Sequence, residues 1–96
     1  MSDLAIRHEA SGTRHRLVVN RHGAEAELTY TVVAPGRVIA DHTGVPDAFR
    51  GEGVGPALVA RLVADARKDG FVIVPRCRFI EAQRRRHPEW SNVFST

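Results

Sequence analysis

The succession of hydrophobic periods along this 96-residue chain predicts an α+β (α/β) fold, an antiparallel strand meander followed by a βαβ unit and a short C-terminal helix. Three observations carry the expectation. Apolar and polar residues alternate with a period of two up to about Thr43. A helical period takes over at Val54. A continuous apolar run, Phe71-Val72-Ile73-Val74, then follows the helix at once, as in a strand covered on both faces.

The elements follow in order. Leu4 to His8 and Arg14 to Asn20 read as a first hairpin around the turn-prone Ser11-Gly12. His22-Gly23 is a second turn, and Ala24, Ala26, Leu28, Tyr30 and Val32 then alternate with Glu25, Glu27, Thr29 and Thr31 along a long half-buried strand. Pro35-Gly36 ends it, and Val38 to Thr43 supplies a fourth strand. Val54, Leu58, Val59, Leu62, Val63 and Ala66 recur every three to four residues, with Pro56 suited to the first turn and Gly70 to the position just past the helix end. A second helix is expected from Arg78 to His87, stopped by Pro88; the tail from Glu89 to Thr96 has no clear period.

One domain over residues 1–96 is expected, since 43% apolar residues suffice for one core. No signal-like segment and no apolar run of about 18 residues is present, so the expectation is a soluble, cytoplasmic protein without membrane partners. A single cysteine, Cys77, excludes an internal disulfide and a multi-thiolate metal centre, and the histidines show no metal-ligand spacing; no metal is expected. The net charge of +3 and pI near 10 favour anionic partners. Nucleic acid ranks last among these, because no recognition motif accompanies the basic cluster Arg76, Arg78, Arg84, Arg85 and Arg86.

The strongest motif is the turn Arg50-Gly51-Glu52-Gly53-Val54-Gly55, which enters the first helix. A loop leaving a parallel strand into a helix offers free N–H groups and the positive end of the helix dipole to an anion. Alternate glycines let the backbone approach phosphate oxygens, and Arg50 adds a charge. A tight connection that binds nothing fits the glycines equally well. A Walker loop is excluded because no Lys-Ser or Lys-Thr follows, and a Rossmann fingerprint fits poorly because its third small position falls on Pro56.

His42-Thr43-Gly44-Val45-Pro46 followed by Arg50-x-x-Gly53-x-Gly55 resembles motif A of the Gcn5-related N-acetyltransferases (GNAT superfamily), and the whole chain resembles the minimal YjdJ-type branch. The likeness extends to Glu27-Leu28-Thr29-Tyr30, Pro75-x-Cys77-x-Phe79 and His87-Pro88-Glu89. It implies a minimal GNAT-like fold and acetyl-CoA as cosubstrate. Thr43 and Val45 would pair their backbone with pantetheine, and Arg50, Gly51, Glu52, Gly53, Val54, Gly55, Pro56 and Ala57 would hold the pyrophosphate of coenzyme A.

Cys77 falls at the start of the second helix between Arg76 and Arg78, both of which favour a thiolate, although an unpaired cysteine is more often a small buried hydrophobe. The resemblance adds an acyl-cysteine route, in which Cys77 takes the acyl group from CoA and passes it to an amine or thiol acceptor. The general-acid tyrosine of larger relatives has no counterpart after this strand; the one tyrosine is Tyr30. His42, at the end of the preceding parallel strand, is the candidate base, expected to face Cys77 across the cleft; a structural role bonded to backbone fits it equally. Two alternatives stand beside the acetyltransferase: a module that binds CoA or acyl-CoA without turnover, and a nucleic-acid-binding protein. The acceptor and the choice between monomer and dimer are not legible in the sequence.

Overall fold

The computed structural model describes residues 4–95. Residues 1–3 and 96 of the expected domain lie outside the described residues. Four antiparallel strands come first, β1 (Arg7–Ser11), β2 (Arg14–Arg21), β3 (Ala24–Ala34) and β4 (Arg37–Gly44). The long helix α1 (Val54–Asp69) leads to β5 (Val72–Pro75), and α2 (Arg78–Arg86) and a 3-10 helix (Pro88–Val93) close the chain. The strands form one five-stranded sheet in sequence order, antiparallel throughout except for the parallel pair β4 and β5.

Alternation decides which face of the sheet is buried. Leu17, Val19, Ala26, Leu28, Tyr30, Val38 and Ala40 share one face and form the core with Val54, Leu58, Val59, Leu62, Val63 and Ala66 of α1. These helix residues lie on one stripe, so the period of 3.6 on one element meets the period of two on the other. Full burial of a leucine or valine such as Leu58, Leu62 or Leu17 contributes on the order of 2 kcal/mol. Ile73, Ile80, Val93 and Phe94 complete the cluster, and Phe94 bridges to Ile73 beside the short β5.

The opposite face is charged. Arg16 donates to Glu9 at 2.9 Å, Glu25 at 3.2 Å and Glu27 at 2.6 Å, and Arg7 donates to Glu9 at 2.8 Å and to Asn20 at 2.8 Å. Val18 pairs with Arg7 on one side and Glu27 on the other, and it is fully buried among them. No helix is long and apolar enough to cross a membrane among the described residues.

Candidate active site

Two irregularities of β4 create the site. Pairing of β4 with β5 runs from Arg37↔Val72 to Ala40↔Pro75 and closes with the Arg76 N–H donating to the Ala40 carbonyl at 3.1 Å. Beyond that point β4 continues to Gly44 paired with β3, and among the described residues its other edge has no strand partner. At the same place the β3–β4 register slips, Tyr30 facing Ala40 and Thr29 facing His42, which leaves Asp41 as an extra residue. Such a bulge bends a strand and re-aims its side chains. The bend falls where the parallel strands part.

Cys77 sits in that parting, as the residue that caps α2. Its Sγ donates to Thr43 Oγ1 at 3.6 Å, linking the two diverging chains. Burial pushes the thiol up. The Ile80 N–H, the Thr43 hydroxyl and the Phe79 N–H act in the other direction and leave it below its ordinary value. Among the described residues the Cys77 side chain makes no capping hydrogen bond to the first turn of α2, and these nearby donors favour the thiolate.

On the other side of the first turn of α2 lies the glycine loop. Gly51 and Gly53 have φ of 79° and 69°, the left-handed region where a side chain is strained. Among the described residues the N–H groups of Gly51, Gly53, Val54 and Gly55 have no backbone partner, so they are available at the start of a sixteen-residue helix. Glu52 turns away, its carboxylate accepting from His22 at 2.8 Å and facing Arg21 at 3.4 Å, which ties the loop to the β2–β3 turn. Arg50 is highly exposed and meets Asp47 at 3.5 Å. Val45, 40% exposed, borders the hollow of about 220 Å³ over the loop, and the Phe79 ring forms its far wall. A Cβ on Gly55 would stand 2.8 Å from that ring, which is why the position takes no side chain.

Thr43, Val45 and the segment from Arg50 to Ala57 are therefore brought to one end of the sheet together with Cys77. That end of the sheet gathers free N–H groups, the exposed Arg50, a strand edge unpaired among the described residues, and a thiol.

His42 does not meet Cys77. It pairs with Thr29 on the charged face, whereas Thr43 pairs with Leu28 on the core face and reaches the thiol. Counting by twos from Val38 and Ala40 places His42 on the core face, and the extra residue Asp41 reverses that count. Asp41 itself accepts from Thr31 Oγ1 at 2.8 Å. The His42 ring lies against Gly44 and makes no hydrogen bond or ion pair among the described residues. Phe79 is the site residue that sequence reasoning left without a role; the bare Gly55 opposite it was the available signal. Among the described residues no group of three or more His, Cys, Asp or Glu is placed to hold a metal.

A parallel strand pair that parts above its shared half, with a glycine loop leading into the helix between them, defines the class: an α+β domain with a cleft between its two parallel strands. A family profile described as GCN5-related N-acetyl-transferase matches residues 14–93, and the chain belongs to that family, whose members draw the acetyl group from acetyl-CoA. The chain is similar to a GCN5-like candidate N-acetyltransferase from Staphylococcus aureus, solved in solution by NMR. The two share 29% identity with a TM-score of 0.71 over 99% of this chain and 91% of the other. No curated protein shows significant similarity to this chain.

Proposed function

We propose that the protein transfers an acetyl group from acetyl-CoA through an acyl-Cys77 intermediate. The pyrophosphate is held by the loop Arg50–Ala57, with backbone N–H groups of Gly51, Gly53, Val54 and Gly55 as donors. The pantetheine arm runs along the free edge of β4 at Thr43 to Val45. The carrying observation is the position of the single cysteine: a thiol held below its ordinary pKa, at the point where β4 and β5 separate.

In the first step the Cys77 thiolate attacks the thioester carbonyl; the new C–S bond forms, the bond to CoA breaks, and CoA leaves as a thiolate that takes up a proton. The Thr43 hydroxyl and the N–H groups of Phe79 and Ile80 stabilise the attacking thiolate. In the second step an amine or thiol acceptor attacks the acyl-cysteine, Cys77 departs as thiolate, and the acceptor's surplus proton goes to a base. His42 lies on the other face of β4 from Cys77, so solvent is the base for this step.

The test is the mass of the intact protein after incubation with acetyl-CoA. An adduct of acetyl mass is expected in the natural protein and absent in Cys77→Ser. CoA binding with neither adduct nor acceptor turnover would make the protein a non-catalytic CoA module, and full turnover in Cys77→Ser would establish direct transfer.

A further inference from the structure

Cys77 opens on a second hollow, distinct from the one over the glycine loop. It has a volume of about 590 Å³ and is lined by Arg76, Cys77, Arg78, Glu81, Ala82 and Arg85, with Pro75 at its edge. The residues from α2 stand at positions 78, 81, 82 and 85, one face of the helix, with the small Ala82 leaving the space between the arginines open. No residue is common to the two hollows.

The charges of this hollow do not cancel. Glu81 is its one carboxylate, and both its oxygens are already engaged: Arg84 donates to Oε1 at 3.0 Å and also to Oε2, and Arg85 reaches Oε2 at 3.3 Å. Arg84, foremost, holds the Glu81 carboxyl below its ordinary range. Arg84 lies outside the lining, so Glu81 is neutralised from behind. Arg76 and Arg78, the residues on either side of the thiol, have no side-chain hydrogen bond or ion pair among the described residues. Guanidinium groups set this way match planar, bidentate oxyanions. The pyrophosphate of CoA already has the glycine loop, so these arginines are left for a different anion.

We propose that this hollow is the acceptor pocket and that it selects acceptors bearing a carboxylate or phosphate close to the nucleophilic nitrogen or sulfur. The assignment rests on acyl transfer at Cys77. The anion seats on Arg76, Arg78 and Arg85, which places the neighbouring nucleophile beside Cys77.

The pocket is tested without relying on transfer, by alkylating Cys77 with iodoacetate and with its neutral counterpart iodoacetamide. Relative to N-acetylcysteine, Cys77 is expected to favour the anionic reagent by about tenfold, the enrichment a positively lined cleft gives an anion. The preference should fall in Arg76→Gln, Arg78→Gln and Arg85→Gln, fall with added salt, and be competed by succinate. A preference equal to that of the free thiol overturns the proposal whether or not acetyl transfer occurs. A second arm compares CoA with 3′-dephospho-CoA. Unchanged binding of both in the arginine variants supports an acceptor site; equal losses assign the arginines to the shared pyrophosphate, weakening for CoA alone assigns them to the 3′-phosphate, and either overturns it. Failure of the acetyl adduct on Cys77 with the alkylation preference intact would overturn the transfer reading and leave an anion site.

Discussion

At the scale of single residues, one polar contact outside the site is a histidine pair that the sequence did not announce. His8 Nε2 lies 2.8 Å from His15 Nδ1, the His15 ring stacks on Tyr30 at 4.9 Å, and the Tyr30 hydroxyl is 3.3 Å from His8. Burial, and then the neighbouring His8, lower the pKa of His15. An imidazole that holds its proton less well when folded gives the unfolded chain more bound protons as pH falls through about 6.5, so stability declines over that range. The melting temperature is expected to drop between about pH 7 and 5.5 and to drop less in His15→Gln, as scanning calorimetry at a series of pH values would show. The sequence places both histidines near exposed turns. What it cannot show is the hairpin register, Ala10↔His15 and His15↔Tyr30, that sets the half-buried His15 beside Tyr30 while His8 stays exposed.

At the scale of elements, the helices and strands were largely legible, and the exceptions have common causes. The α1 stripe fixes its own limits because sixteen residues of one period exceed what a loop would show by chance. The edge strand β1 was expected at Leu4 to His8 and lies at Arg7–Ser11, since its position follows from pairing with β2 and not from its own pattern. Leu4 and Ile6 pack against the core. The tail shows no period because a 3-10 helix presents Val93 and Phe94 to the core at no regular spacing. The glycine loop was legible from residue types as a strand-to-helix turn, and its backbone angles justify two of the three glycines. Gly53 caps α1 at φ 69°, so Gly53→Ala is expected to lose about 1 kcal/mol in urea unfolding from left-handed strain. The same change should weaken CoA binding several-fold by titration calorimetry, because the displaced N–H groups are the ones offered to the phosphates.

At the scale of the whole molecule, the four-stranded meander and the βα portion are joined by a short parallel ladder and the shared core, and the cleft opens where the ladder ends. A ligand lying in the cleft touches both parts, so binding is coupled to global stability. CoA at 100 times its dissociation constant adds about 2.7 kcal/mol, which for a chain of this size raises the melting temperature by roughly 10 °C or more. A thermal shift assay with CoA against adenine alone would measure it, and equal shifts from both would place the binding outside the cleft. The residue that faces the thiol is likewise set at this scale. Side-chain direction in a strand is a count modulo two, and Asp41 adds one to the count, so chain length and not side-chain chemistry selects Thr43 over His42 as the neighbour of Cys77. Two relatives with identical motifs are therefore equivalent around the thiol only when the number of residues between the last β4–β5 pair and the cleft mouth has the same parity in both.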